Sequence, residues 1–305
     1  MNQRMKSAFP LGGIAISLVL LASCGSDREG ADTPADGRVA LEVTSGIQTR
    51  AANAEWAKGD AIGIYMQEDG GTAIAENATN RKYVAQVTGG NVAFLPEAGQ
   101  TIYYPIDGSI VDFTAYYPHQ ALADEYYPVD VSEQADQPAI DLMTAVAEGH
   151  SKTNAAVAFK FVHLLTKLEL VIEPGNGLTA ADLAGIKVEI TGQRTTGSYN
   201  LLYRAFGIDP TPESIITLNT KADGKSAEAI LLPNDAINNA PVAGRELVFT
   251  LKGNGEVLRW SIPDDKSFLQ GDKNLYTITV NRTSLGVTSS IKDWNKGDGG
   301  SGSAE

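Results

Sequence analysis

The chain has 305 residues, 43% of them hydrophobic, and carries a formal net charge of −13 at pH 7. This length is enough for about two domains. The acidic balance argues against a nucleic-acid partner, because a negative surface repels phosphate backbones. The single cysteine excludes a disulfide framework within the chain.

Residues 1–23 have the composition of a signal peptide. Arg4 and Lys6 precede a mostly apolar run over 8–22, which is too short to span a bilayer comfortably. The run ends in Leu-Ala-Ser directly before Cys24 and resembles a lipobox, in which the thiol is acylated and begins the mature protein. We therefore expect the chain to lie outside the cytoplasm, attached to a membrane by lipid on Cys24. The alternative is an ordinary signal peptide with an incidental cysteine.

Residues 24–37 have no apolar periodicity and are rich in Gly and Asp, a composition typical of a flexible tether. After the tether, apolar and polar residues alternate with the period of two that indicates half-buried strands. Clusters of turn-forming residues at 88–91, 173–177 and 253–255 separate these segments. Helical signal is sparse, although Thr179 is suited to cap a short turn over 180–183. The alternating apolar positions are Val39, Leu41 and Val43; Val157, Phe159 and Phe161; Val188 and Ile190; and Tyr276, Ile278 and Val280.

The pattern predicts an all-β protein with two β-sandwich domains in series. The cluster of Pro, Gly and Asn near residue 173 ends a long strand pattern and places the boundary at about 165–175. We assign the domains to 38–168 and 169–305. A single large sandwich would give a similar pattern, so that alternative stays open.

Signals for catalysis or metal binding are poor. His119, His150 and His163 share no metal-ligand spacing, and neither a nucleophile elbow nor a zinc signature occurs. His163 ends an alternating run, where a structural role is favoured. The segment that starts at Asp293 begins like a calcium loop, but Gly297 occupies a ligand position. We expect no enzymatic activity, no metal and no cofactor.

The tripeptide Tyr-Tyr-Pro occurs three times, at 103–105, 116–118 and 126–128. Exposed tyrosines could stack on sugars, which makes a surface glycan-binding lipoprotein the alternative function. The reading we favour is that one tyrosine of each pair packs in the core and that the proline ends the strand.

Three segments together resemble the Bacteroidales fimbrillins, the subunits of type V pili, which are secreted as lipoproteins. Residues 56–65, Trp-Ala-Lys-Gly-Asp-Ala-Ile-Gly-Ile-Tyr, resemble the family's W-x-x-G-D-x-I-G motif. Residues 141–143 followed by 157–168 resemble its D-L-M…F-x-H-x-x-A/T-K-L segment, and residues 291–294 resemble its closing I-x-D-W. With Asp-containing turn chemistry before an alternating run, we expect Trp56 to be buried and Gly59-Asp60 to turn into a strand over 62–65.

The resemblance implies two transthyretin-like β-sandwich domains, no enzymatic activity, and assembly with other pilus subunits by strand exchange. Ligands on host or bacterial surfaces are the further partners expected. The last residues, 299–305, depart from this expectation, because they form a polar Gly/Ser tail without strand character.

Assembly by strand exchange assigns roles to both ends of the chain. In the resembling family an arginine-specific protease removes the first strand, and Arg50, followed by Ala51, lies in a segment of small and polar residues typical of exposed cleavage sites. The candidate donor is the C-terminal run in which Leu285, Val287 and Ile291 share one face. Ser289 leaves a gap in that face. The alternative is that Arg50 lies in a surface loop and both segments are ordinary strands of one monomer.

Overall fold

The structure is a computed structural model, and it describes residues 37–47, 55–208, 214–233, 244–264, 266–282, 285–291 and 301–304. Strands account for 51% of the described residues, and the two helices have four residues each, so the all-β prediction is confirmed. Within the described ranges, no helix is long and apolar enough to cross a membrane.

Seven strands of the first half form one closed sheet in the order β1-β4-β3-β2-β5-β7-β8. Its closure depends on β1, which pairs antiparallel with β4 and parallel with β8. The first eight strands are β1 (Glu42–Ile47), β2 (Ala61–Glu68), β3 (Arg81–Ala85), β4 (Asn91–Pro96), β5 (Val111–Tyr117), β6 (Tyr126–Asp130), β7 (Met143–His150) and β8 (Ala156–His163), and the helix α1 (Gln137–Ile140) precedes β7.

The second half contains a four-stranded sheet, β13-β10-β16-β17, and a six-stranded sheet, β14-β15-β9-β18-β19-β20. A third sheet, β12-β11-β6, joins a strand of the first half to two of the second. The elements are β9 (Thr166–Pro174), α2 (Ala180–Leu183), β10 (Lys187–Gln193), β11 (Thr196–Asn200), β12 (Ala205–Ile208), β13 (Ser214–Thr217), β14 (Asn219–Thr220), β15 (Ser226–Leu231), β16 (Glu246–Thr250), β17 (Val257–Ser261), β18 (Lys273–Val280), β19 (Leu285–Ile291) and β20 (Ser301–Ala304).

The alternation in the sequence is reproduced as alternating burial. In β8 the side chains of Val157, Phe159 and Phe161 are buried and their neighbours are exposed. In β18 every second side chain is buried between partly exposed ones, and β10 alternates as far as Ile190. The predicted turn clusters lie directly before β4, at the end of β9, and between β16 and β17. Thr179 precedes α2, where the Asp182 carboxylate accepts hydrogen bonds from the Thr179 backbone N–H and hydroxyl, each at 2.7 Å.

The prediction for the C-terminal tail is wrong, because residues 301–304 form the strand β20. This strand pairs antiparallel with β19 at the edge of the six-stranded sheet. An edge strand is held by backbone hydrogen bonds, which Gly and Ser make as well as apolar residues do. The polar composition of the tail therefore did not exclude a strand.

Two clusters of buried hydrophobic residues make up the core. All buried members of the first cluster precede residue 162, but the second cluster also includes Tyr65 and Tyr116 of the first half. The last buried member of the first cluster is Phe161, and the second cluster takes up Leu164 and Leu165. The segment 126–142 belongs to the first half of the sequence, yet Val129, Val131 and Leu142 lie in the second cluster. Since residues 34–305 form one compact unit by their contacts, the division into domains 38–168 and 169–305 stays a prediction.

Candidate assembly site

The candidate assembly site is the position of β1 in the closed sheet. The backbone of β1 is paired on both sides, so that Ser45 lies opposite Val92 of β4 and opposite Phe159 of β8. Just before the strand, the Leu41 N–H donates to the Ile102 carbonyl at 2.9 Å. A strand with two such neighbours completes the hydrogen bonding of both.

The side chains of β1 and of the residue before it divide cleanly between core and solvent. Leu41 and Val43 are each 4% exposed and Ser45 is fully buried, and Ile47 packs against the same core from a partly buried position. Burying apolar side chains of this size stabilises a protein by about 1.5–3 kcal/mol each. The first core therefore depends on this strand for one of its walls.

The predicted processing and lipidation residues lie outside the described residues. Arg50 and Ala51 follow β1 within 48–54, and Cys24 lies within 1–36. Their assignments stay predictions. What the structure adds is that the described part of β1 ends at Ile47, three residues before Arg50.

The candidate donor residues Leu285, Val287 and Ile291 lie in β19, which pairs antiparallel with β18 on one side and with β20 on the other. Their register partners in β18 are Val280, Ile278 and Asn274 respectively. Within a single chain these residues are thus part of the chain's own sheet, and a role as donor stays a prediction.

The predicted position of Trp56 is confirmed: its side chain is 1% exposed. The ring meets Phe94, Tyr117 and Phe161 edge-on, with ring centroids 5.2 Å apart in each pair. Aromatic pairs in this geometry add to the stabilisation that burial alone provides. Trp56 therefore forms the centre of the first core.

The turn after Trp56 also forms as expected. Gly59 has a φ of 97°, a conformation that suits glycine, and the Asp60 carboxylate accepts the Ala57 N–H at 2.7 Å. The second glycine of the motif, Gly63 in β2, has a different reason: a Cβ there would lie 2.1 Å from Cε1 of the Tyr116 ring. The motif thus encodes one turn and one aromatic contact.

The structure brings together two residues of the second motif. Nδ1 of His163, at the end of β8, lies 2.9 Å from Oδ2 of Asp141, just before β7. Both side chains are mostly buried, and the first pair of β7 and β8 is Met143 with His163. This arrangement supports the structural role predicted for His163.

The burial of the tyrosine pairs agrees with the interpretation that one tyrosine of each pair packs in the core. Tyr104, Tyr116 and Tyr127 are buried, whereas each of their partners is at least partly exposed. Burial raises the pKa of Tyr116 to about 12, although hydrogen bonds to Gln120 and Asn80 act in the opposite direction. The three buried hydroxyls are held in the protein rather than presented to a ligand.

One part of the proline prediction is wrong. Pro118 follows the end of β5, as expected, but Pro128 lies inside β6. Among the described residues, this strand is at the edge of the sheet β12-β11-β6 and pairs only with β11. A proline is tolerated there because the backbone N–H it lacks is not needed on the open side.

No group of three or more His, Cys, Asp or Glu residues is arranged to hold a metal ion in the part of the chain that the structure describes. His119 is partly buried, and this desolvation lowers its pKa. Residues 293–299, which begin like a calcium loop, lie outside the described residues.

Comparison with known proteins assigns the chain to a family of fimbrial subunits. The family model described as "Fimbrillin-like" matches residues 49–294. A protein of Bacteroides uniformis named "Putative fimbrium subunit Fim1C" is 45% identical over 307 residues, which cover 95% of this chain and 97% of that protein. The chain therefore belongs to the fimbrillin-like family.

Two crystal structures are similar to this chain in fold. The crystal structure of a "putative cell adhesion protein" from Bacteroides uniformis is 44% identical, with a TM-score of 0.75 over 86% of this chain and 100% of that chain. Another with the same description, from Bacteroides ovatus, is 24% identical, with a TM-score of 0.66 over 86% of this chain and 99% of that one. The second likeness concerns the fold alone. The chain is thus a member of a family of fimbrial and cell-adhesion subunits, as the sequence resemblance predicted.

Proposed function

We propose that this protein is a non-enzymatic structural and adhesive subunit of a cell-surface fimbrium, and that it assembles by donor-strand exchange. The observation that carries the proposal is the position of β1 between β4 and β8. A cut after Arg50 leaves β1 attached to the body by non-covalent contacts alone. Its departure frees two strand edges and opens a channel into the first core.

Only another strand can pair with both freed strand edges and refill the opened core at the same time. The freed edges of β4 and β8 present rows of unpaired N–H and C=O groups. The vacated positions of Leu41 and Val43 need apolar side chains at alternate positions, because both are almost fully buried. An extended segment of a neighbouring subunit supplies the ladder and the side chains together. The proposed donor is the run that contains Leu285, Val287 and Ile291.

The proposal includes the export route. Lipid on Cys24 would hold the subunit at the outer membrane until its first strand is cut, and the tether over 24–37 would hold the body away from the bilayer. Replacing Cys24 with alanine should abolish fatty-acid labelling and delivery to the outer membrane, whereas Cys24→Ser tests whether a hydroxyl can substitute. Labelling that is unchanged in both variants would refute lipidation at this residue.

The proposal also includes the division into two transthyretin-like domains in series. Its support is the change from the first to the second hydrophobic cluster between Phe161 and Leu164. The sheet β12-β11-β6 joins the halves, so the subunit would act as one body in the fibre.

The test of assembly compares processing variants of the exported protein. Protein cut after Arg50 should form ladders that resist mild denaturant on electrophoresis, and Arg50→Ala or deletion of 285–305 should leave monomers. Arg38→Ala is the matched control, because Arg38 is the nearest preceding arginine in the described chain. Polymerisation of Arg50→Ala at the parent rate would show that cleavage here is not the assembly switch.

A further inference from the structure

The strand that is proposed to leave and the strand proposed to replace it have nearly the same sequence. Residues 41–47 are Leu-Glu-Val-Thr-Ser-Gly-Ile, and residues 285–291 are Leu-Gly-Val-Thr-Ser-Ser-Ile. The two segments are identical at five of seven positions. The first comprises β1 with the residue before it, and the second is β19.

The identical positions include all those whose side chains face the first core when the strand lies between β4 and β8. Leu41, Val43 and Ser45 are buried, and Ile47 packs against the first core. All four recur in β19, as Leu285, Val287, Ser289 and Ile291. Side chains of a strand alternate between faces, so this set forms one face in either segment.

We propose that β19 of one copy of this chain occupies the β1 position of a second copy in the same register. The inference rests on the proposed strand exchange and adds to it the register, the direction and the partner. The donor would run parallel to β8 and antiparallel to β4, as β1 does. Because the chain's own β19 matches its own β1 position, the subunit can follow itself in a fibre.

The recurrence of serine explains the gap in the donor face. Ser45 is fully buried, with register partners Val92 and Phe159 in the neighbouring strands. A closely packed position of this kind resists a larger side chain. Ser289 therefore fits the position that β1 itself fills with serine, and the interruption of the apolar face is part of the match.

The two differences between the segments are informative as well. Glu42 is exposed, so glycine in its place at 286 changes no core contact. At Gly46 a Cβ would lie 3.1 Å from the Gly90 carbonyl oxygen, which is a tight contact. The donor has Ser290 at that position and requires a small shift of the Gly90 backbone. Ser290 is thus the one position where the donor fits less well than the strand it replaces.

Cysteine cross-linking tests the register directly. Thr44 pairs with Ala93, which is exposed, so the same register places Thr288 of one copy opposite Ala93 of the next. Within one chain Thr288 pairs with Thr277 instead. The background is Cys24→Ala, which removes the only native cysteine, with a site-specific protease sequence placed in 48–54.

After cleavage and mild oxidation, the variant with Thr288→Cys and Ala93→Cys should form a covalent ladder. The matched control, Thr288→Cys with Leu95→Cys, reports a donor displaced by two residues and should give no more than about a tenth of that ladder. A ladder through position 95, or none in either variant while non-covalent polymers form, would overturn the register and leave the proposed function intact. If the cleaved parent forms no polymer, both the proposed function and this inference fail.

A peptide that spans 283–292 gives a second measurement without altering the protein. Added to the cleaved chain, it should occupy the β1 position and stop growth of the ladder. Ser289→Leu in the peptide should raise the concentration for half-inhibition at least tenfold, the ratio that about 1.4 kcal/mol of overpacking produces. Thr288→Leu, whose side chain points outward in the proposed register, should change it less than about threefold, and Ser290→Gly should lower it. Equal effects of the Ser289 and Thr288 substitutions would overturn the proposal.

Discussion

The closed sheet of the first half and the six-stranded sheet of the second half place similar strands in different structural positions. In the closed sheet, β1 has a neighbour on each side and completes the closure. In the other sheet, β19 and β20 lie beyond β18 at one end, while β9 and β18 occupy the middle. The closed sheet therefore requires a strand at the β1 position, whereas the six-stranded sheet can lose strands from the end formed by β19 and β20.

The largest expected effect is the loss of stability when β1 is removed, which tests the difference between the two sheets directly. Removal of β1 after cleavage should destabilise the first core by about 3–6 kcal/mol, from the burial of Leu41 and Val43 at about 1.5–3 kcal/mol each. Deletion of 285–305 should destabilise the protein less, because it removes strands from one end of a sheet.

Two tryptophans allow the halves to be followed separately during denaturant unfolding. Trp56 lies in the first core and Trp260 in the second. In a background with Trp294→Phe, fluorescence of a Trp260→Phe variant reports the first core and that of a Trp56→Phe variant reports the second. Equal losses of stability for the two truncations would refute the contrast between the ends of the chain.

Replacement of Trp56 by alanine should destabilise the protein by about 3–5 kcal/mol, since it removes a large buried side chain and three ring contacts. Trp56→Phe should cost less, because it keeps an aromatic ring. Thermal unfolding followed by circular dichroism measures both. A midpoint that hardly moves in Trp56→Ala would contradict the placement of this residue at the centre of the core.

Gly63→Ala should destabilise the protein by about 1–3 kcal/mol, since the added methyl group meets the Tyr116 ring at 2.1 Å. Gly90→Ala is the control, because a Cβ at Gly90 has no neighbour within 4 Å. Combining Gly63→Ala with Tyr116→Ala should give less than the sum of the two single effects, because both act on one contact. Additive effects in urea unfolding would exclude this contact as the cause.

The smallest effect concerns alkaline pH. Desolvation by burial raises the pKa of Tyr83, Tyr116 and Tyr199 to about 12, above the ordinary value near 10. The folded state therefore favours the protonated phenols, and their contribution is fully present below pH 10 and is lost as the pH rises through about 12. Tyr116→Phe should weaken this dependence, as measured by the urea midpoint between pH 9 and 12. An unchanged slope would show that this phenol titrates normally.

Much of the fold could be predicted from the sequence because burial follows a period of two. Phe159 and Phe161, and likewise Ile278 and Val280, are buried as their alternation indicated. The turn at Gly59 was also predictable, since glycine and aspartate have local conformational preferences. Closure of the first sheet was not, because the parallel pairing of β1 with β8 joins residues that are more than 100 positions apart and has no local signature.

The candidate site was predicted in part. The apolar residues Leu41 and Val43 identify the first strand, but a buried serine at position 45 has no apolar signal. For the same reason Ser289 looks like a gap in the donor face when the sequence is taken alone. The repeat over 41–47 and 285–291 was present in the sequence and could have been found by comparing the chain with itself. Its meaning required the structure, which shows which side of β1 faces the core.

The double pairing of β1 has a mechanical consequence for any strand that takes its position. Such a strand runs between β4 and β8 with hydrogen bonds on both sides. Tension along the strand axis stretches both ladders in shear, so many bonds must yield together, whereas a pull at right angles would open them one after another. A donor strand in this position would therefore resist a pull along its own axis far better than peeling from its side.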